Sequence, residues 1–253
     1  DCLLSRGLGD VYKRQVVNFV YPMFTNDTLL ADAGVTAPPT TRTEFADAAS
    51  KVSALGGDVS GWVLPLSLEA PNGVQNDVMS WVWASGGSML KDGQPDLTND
   101  DVTSAVDFIG GMWDDGSIAS GSFTMKEQDK VEEFTNGRVG MMIDSLAHIN
   151  LIRETNPDLQ FSISALPAED GYDGERGIPY ASWGIGVAEN SEHKDAAFKL
   201  VEFLMSEQTN SELSTMAKAF PGNSKSVPDF VNDDELFKPV SYTHLTLPTI
   251  YSV

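Results

Sequence analysis

The chain has 253 residues, 41% of them hydrophobic and 21% charged, a composition that buries a core in one large domain or two smaller ones. A formal net charge of −21 repels nucleic acid and anionic membrane surfaces, so neither is an expected partner. No stretch approaches the roughly 18 apolar residues of a membrane span, no signal peptide is visible, and the single cysteine, Cys2, permits neither an internal disulfide nor a thiolate metal cluster. The acids are dispersed, densest at Asp114-Asp115 and Asp233-Asp234-Glu235, and read as a solvated surface. The histidines, His148, His193 and His244, lack metal-ligand spacing, so no metal and no cofactor is expected.

In chain order, the first stretch reads as foreign. "DCLLSRGLGDVYKRQ" (1–15) carries Arg6, Lys13 and Arg14, and "VSYTHLTLPTIYSV" (240–253) has no Asp, Glu, Lys or Arg in an otherwise acidic chain. Both resemble translated adaptor sequence at the ends of assembled metagenomic reads. They are set aside as non-native, which leaves about 16–239 as the native part and removes Cys2 from it.

"TTRTEFADAASKVSAL" (40–55) opens a helix with a capping box, Thr41 and Glu44, and lines Phe45, Ala48, Ala49 and Val52 on one face. "GWVLPLS" (61–67) reads as a strand. "NDVMSWVWASGG" (76–87) reads as a helix stopped by Gly86-Gly87. "TNDDVTSAVDFIGGMWDDG" (98–116) is the clearest helix, capped by Thr98 or Asn99, with Val102, Ala105, Val106, Ile109, Met112 and Trp113 at helical spacing. Helix 126–134 closes at Asn136-Gly137, strand 139–144 follows, then helix 148–157 and strand 161–167. After a Gly-rich loop (168–179), 182–189 reads as a strand. Helix 191–206 turns Ala197, Leu200, Val201 and Leu204 inward, and a second helix spans about 207–219. Alternating helices and short strands predict an α/β architecture.

Catalytic signatures are absent. There is no G-x-S-x-G, P-loop, H-E-x-x-H or C-x-x-C. "GIG" (184–186) lacks the third glycine of a dinucleotide fingerprint, and a bulge or close packing explains it better. No catalytic residue is assigned.

Four segments, in order, resemble the extracellular solute-binding proteins of carbohydrate ABC importers, the maltose-binding-like family. They are "TNDTLLADAGVTAPPTTRTEFADAASKV" (25–52), "WVWASGGSMLKDGQPDLTNDDVTSAVDFIGGMWDDG" (81–116), "FTNGRVGMMID" (134–144) and "ALPAEDGYDGERGIPYASWGIGVAENSEHKDAAFKLVEFLMSEQ" (165–208). The resemblance implies a type II periplasmic-binding-protein-like fold, two α/β lobes with a sugar held in the cleft between them. It also implies that the fold here is incomplete, mostly the second lobe plus a returning segment of the first. The implied divisions are a crossover or hinge at 16–21, the second lobe at 22–168, a crossover loop at 169–177 and the returning segment at 178–230.

Sugars offer hydroxyls, which suit carboxylates and amides, and C–H faces, which stack on aromatic rings. Ligands in open α/β sheets sit beyond the carboxyl ends of strands, where Asp144-Ser145 lies. The pair reads either as cleft-facing hydrogen-bonding groups or as a cap for the next helix. Where the family often has Gly-Pro-Trp, this chain has Ser145-Leu146-Ala147, which disfavours a maltose-like ligand and leaves a monosaccharide or polyol. Tyr180, Ser182 and Trp183 precede the closing strand, where the family commonly contacts sugar; Trp183 is a stacking platform or interlobe filling. Trp81 and Trp83 are two apart on a helix and cannot share a face. One is core, and Trp83 is the candidate for the cleft, with Asn76. Tyr21 sits near the implied hinge. Trp62 and Trp113 are expected in the core, and His148 is expected to have no special role.

The implied function is capture of a sugar or polyol by a monomeric binding protein that delivers it to ABC permease subunits. The implied location is the periplasm or, through a lipid anchor, the cell surface. The competing readings are a secreted carbohydrate-active enzyme with paired carboxylates, and the same fold binding a polyamine, metal chelate or glycerol phosphate.

Overall fold

A computed structural model describes residues 13–237; the end stretches set aside above, apart from residues 13–15 at the start of the first strand, lie outside the described residues, as do Cys2 and His244. Strands run in the order β1 (Lys13–Val20), β2 (Met23–Asn26), β3 (Ser60–Trp62), β4 (Leu90–Lys91), β5 (Gln94–Pro95), β6 (Val139–Ile143), β7 (Phe161–Ser164), β8 (Tyr180–Gly186) and β9 (Phe220–Pro221). Helices run α1 (Asp27–Asp32), α2 (Arg42–Ser53), α3 (Asn72–Trp83), α4 (Asp100–Asp114), α5 (Glu127–Thr135), α6 (His148–Thr155), α7 (Lys194–Leu204), α8 (Glu207–Ala217) and α9 (Phe230–Asp233). The chain divides into two compact units, Tyr21–Pro179 and a second unit made of the stretches either side of it.

In the larger unit the sheet order is β3-β6-β2-β7, with β3 parallel to β6 and the other pairs antiparallel. Every residue of β6 is buried, so both faces are covered and the run is apolar rather than alternating. On one side Phe24 stacks on Phe161 at 6.0 Å and meets Phe134 edge-on at 6.2 Å. A second aromatic cluster joins Phe45, Trp62, Trp81 and Phe108, with centroids 4.8–5.3 Å apart between the closest pairs. Trp62 and Trp81 are fully buried. Helix α2 lies close on this sheet because Gly61 carries no side chain; a Cβ there would strike the backbone of Ala49.

Local signals work as the sequence predicts at α2, where the Thr41 hydroxyl accepts from Glu44 N–H at 3.2 Å and Glu44 answers Thr41 N–H at 3.3 Å. Asn99 caps α4 through Val102 N–H at 2.9 Å. Helix α5 ends at Asn136, with Gly137 at φ +74°, a left-handed position that glycine adopts without a steric penalty.

Some expectations fail. The strand expected over 61–67 is regular only to Trp62, because Pro65 has no N–H to donate. Beyond it Leu66 and Ser67 bond instead to the carbonyls of Ser122 and Met125. Helix α3 starts at Asn72, earlier than the apolar pattern suggests. Trp113 is 40% exposed rather than core and meets Phe123 edge-on at 4.9 Å. Val106, on the same helix, is 50% exposed.

In the smaller unit, β1 pairs with β8 and β9, both antiparallel. The residues of β1 include Lys13, Arg14 and Gln15. Register slips between Gln15 and Val17, which face the consecutive Gly184 and Trp183, so the bulged residue is Val16 on β1 and the "GIG" stretch itself pairs regularly. The carbonyl of Val16 is taken up by Asn210 Nδ2 at 2.8 Å, and Asn210 Oδ1 accepts from Asn223 N–H at 2.9 Å. Helix α7 buries Val201 but leaves Leu200 53% exposed, so its inward face is narrower than its period implies.

Candidate functional site

Two groups of predicted residues stand in the two units. In the larger unit, β6 ends at Ile143 and hands the chain to Asp144, whose N–H is fixed on the Pro22 carbonyl at 3.2 Å. Asp144 is fully buried. Its Oδ2 bonds His148 Nδ1 at 2.8 Å, and its Oδ1 faces Lys130 Nζ at 3.5 Å. Lys130 on α5 is itself fully buried; it donates to Asp77 Oδ2 at 3.0 Å and to the Ile143 carbonyl. The side chain of His148 is 27% exposed. Ser145 is buried, and its hydroxyl accepts from Ala147 N–H at 3.3 Å. It thus lies inside the turn that begins α6, while the N-terminal residue Ala147 makes no side-chain cap.

Electrostatics bind this cluster together. Lys130 is the fixed cation among Asp77, Asp144 and Glu127. Burial opposes its charge, yet those three acids outweigh burial and hold its pKa above the ordinary lysine value. Burial pushes Asp77 up to about 7, against the pull of Lys130. For His148 burial works against protonation, but the hydrogen bond and charge of Asp144 prevail and raise it. Tyr21 is pushed up to about 12 by burial first, then by Glu127 and Asp144. One acceptor oxygen on each of Asp77, Glu127 and Asp144 is buried without a hydrogen-bond donor.

Asn76 and Trp83 lie on α3, both half-buried. Asn76 contributes its carbonyl to the Ser80 hydroxyl, and the Trp83 carbonyl accepts from Gly86 and Gly177 N–H at 3.0 and 2.9 Å. It is Asp77, the neighbour of Asn76, that enters the ionic cluster. In the smaller unit the β8 residues Tyr180, Ser182 and Trp183 are exposed, Tyr180 by 61% and Trp183 by 68%. Trp183 pairs with Val17 on β1, so a rigid strand presents a free indole face.

Sequence reasoning missed Lys130, Asp77 and the bond between Asp144 and His148. The signal was present: Lys130 stands four residues before Phe134, and Asp77 four before Trp81, each in the buried phase of its helix. A charge at an inward position needs a buried partner. Among the described residues, no group of three or more His, Cys, Asp or Glu side chains is arranged to hold a metal ion. A surface groove of about 570 Å³ between α2 and α4, lined by Arg42, Ser50, Phe108 and Asp170 among others, contains none of the predicted site residues.

The fold has many relatives. Maltose-bound MalE3 of T. maritima superposes with TM-score 0.77 at 20% identity, over 92% of this chain and 60% of that one. An ABC transporter solute-binding protein of Agrobacterium radiobacter K84 in complex with ribitol gives 0.76 at 19% identity, over 90% and 58%. One from Thermotoga lettingae TMO bound with α-D-tagatose gives 0.72 at 20%, over 92% and 57%. The fold is thus the two-lobe periplasmic solute-binding architecture in incomplete form. Proteins of Brucella abortus (strain 2308) and Brucella suis biovar 1 (strain 1330), named only as binding proteins, are 28% identical over 220 residues, 86% of this chain. The chain spans 52% of their length. The family model described as bacterial extracellular solute-binding protein matches residues 16–239, and the chain belongs to that family.

Proposed function

We propose that the protein is the solute-capturing component of an ABC importer, taking up a sugar or polyol outside the cytoplasm and passing it, as a monomer, to permease subunits. The observation that carries this reading is the exposed β8 strand of a binding-protein fold, with Tyr180, Ser182 and Trp183 displayed on it. Aromatic faces for C–H surfaces and hydroxyls for hydrogen bonds are what a carbohydrate requires. Ser145, Asn76, Trp83 and Tyr21 are the further candidates on the larger unit. Solved proteins of similar fold hold maltose, tagatose and ribitol, which sets the first solutes to try. Binding without turnover is the activity: no bond of the solute is broken.

The test is tryptophan fluorescence of the 253-residue chain during titration with ribitol, D-tagatose and maltose, followed by recovery of the solute. A saturable change lost in Trp183→Ala, with solute recovered intact, is expected. A cleaved product would replace this reading with an enzymatic one, and silence toward all three would remove these solutes and turn the search to other classes.

A further inference from the structure

We infer that His148 is a solute-contacting hydrogen-bonding residue, and that the buried Lys130–Asp144 pair positions it. The inference rests on the solute-binding reading above and names a group within it.

The geometry is a chain of support that leads from the core to the surface. Lys130 and Asp77 have no exposed side-chain area, and neither has Asp144. Lys130 is tied to α3 through Asp77 and to β6 through the Ile143 carbonyl. Asp144 is tied to Pro22 through its backbone N–H. From that fixed base Asp144 Oδ2 reaches His148 Nδ1 at 2.8 Å, one turn on. A carboxylate on Nδ1 holds the proton there and fixes the ring's orientation. Nε2 has no hydrogen-bond partner among the described residues, and the side chain keeps 27% of its surface exposed. A histidine kept only for packing would engage both nitrogens or bury an apolar ring. This one has a rigid inner nitrogen and an outer one left open, beyond the carboxyl end of β6, where ligands of open α/β sheets bind.

The ring's outer nitrogen suits a hydroxyl in either protonation state. Neutral, Nε2 accepts from a solute O–H; charged, it donates to a solute oxygen. The groups that face His148 set which state prevails: Asp144 at the end of β6, and Glu127 and Lys130 on α5. Tyr21, before β2, and Asp77, on α3, are coupled to the same charges. Burial disfavours the imidazolium, Asp144 and Glu127 favour it and Lys130 opposes it, with a net shift upward. The bond made by the charged ring is the stronger, so affinity for a polyol should fall as pH rises through the His148 midpoint, whereas stacking on Trp183 carries no such step.

The experiment follows the His148 ring by long-range proton–nitrogen NMR on the full chain, its signal assigned by loss in His148→Ala. Spectra are recorded against pH, then with ribitol, D-tagatose or maltose added. Asp144→Asn should lower the His148 midpoint and release the fixed Nδ1–H tautomer, a change that a purely structural Asp144 would not produce. The solute that binds should move the His148 resonance, and His148→Ala should weaken it by about tenfold, the worth of one such hydrogen bond. His148→Gln, which retains a donor and acceptor, should restore part of the affinity and abolish the pH step. If a solute binds by fluorescence while the His148 signal stays fixed and His148→Ala binds alike, the inference is overturned and the solute-binding reading stands. An unchanged midpoint in Asp144→Asn would overturn the positioning role. If none of the three solutes binds, the solute-contacting role falls for them along with the proposed reading, while the Asp144→Asn midpoint still decides the positioning role.

Discussion

Replacing Lys130 by methionine isolates the buried ionic cluster. The change keeps the length of the aliphatic stem and removes only the ammonium. Lys130, Asp77 and Asp144 all have fully buried side chains, with Nζ at 3.0 Å from Asp77 and 3.5 Å from Asp144. Removing one partner of a buried pair leaves uncompensated charge and costs about 3–5 kcal/mol. For a cooperative unit of this size that corresponds to a fall in Tm of about 6–20 °C. The exposed pair Lys51–Asp47, with side chains 49% and 59% exposed at 2.6 Å, provides the control; Lys51→Met should cost under about 0.5 kcal/mol. Urea denaturation at pH 8 measures both. The deficit of Lys130→Met should shrink as pH falls, because Asp77, already pushed up to about 7 by burial, escapes the penalty by taking a proton. A Lys130→Met protein within about 1 kcal/mol of the parent at pH 8, or a deficit that does not narrow toward pH 4, would refute this account of the cluster.

Other expectations concern the scaffold. Thr41→Ala removes the hydroxyl arm of the capping box on α2, leaving Glu44 on the backbone N–H, and should cost about 1 kcal/mol in urea. Trp62→Ala, from the centre of the aromatic cluster, should cost about 3–5 kcal/mol, while Trp113→Ala, at 40% exposure, should cost distinctly less in the same assay. Asp77→Asn should flatten the pH profile of stability. The acid's folded value of about 7 lies above its unfolded one, so its share of stability is full below about 4 and is lost as pH rises toward 7. His148, also raised, acts in the same direction above about 6.5; urea midpoints across that range report both.

Much of the scaffold is legible in the sequence because its signals are local. Caps such as Thr41 and Asn99, the Asn136-Gly137 stop and the apolar run of β6 each act over a few residues. The Leu200 and Trp113 assignments fail for a different reason. Helical period says which residues share a face, but the width of the buried part depends on what packs there, and that is tertiary information. The site is less legible. Asp144 is visible as a strand-end acid, but its burial comes from Lys130, fourteen residues earlier, and from Asp77 on another helix. A lysine at an inward helical position was the readable clue, since an unpaired ammonium does not survive there. Tyr180, Ser182 and Trp183 stay exposed on their strand, and only the likeness to a known family singled them out beforehand.

On the proposed reading, each unit offers its own kind of group to a carbohydrate. Trp183 offers area without direction: an indole face tolerates many sugars and supplies affinity through contact. Hydrogen bonds supply direction, and they discriminate only when the protein group is held still, since a free side chain adapts to any hydroxyl. The larger unit contains such a hold. Lys130 compensates a buried carboxylate, that carboxylate fixes an imidazole, and the imidazole keeps one edge outward. A neutral asparagine at position 144 would fill similar space at a lower desolvation cost, but it would neither stabilise the imidazolium nor enforce one tautomer. If the His148 proposal holds, the buried charges are the cost of a directed surface group, since as a contribution to stability alone an apolar replacement of the whole cluster would serve as well.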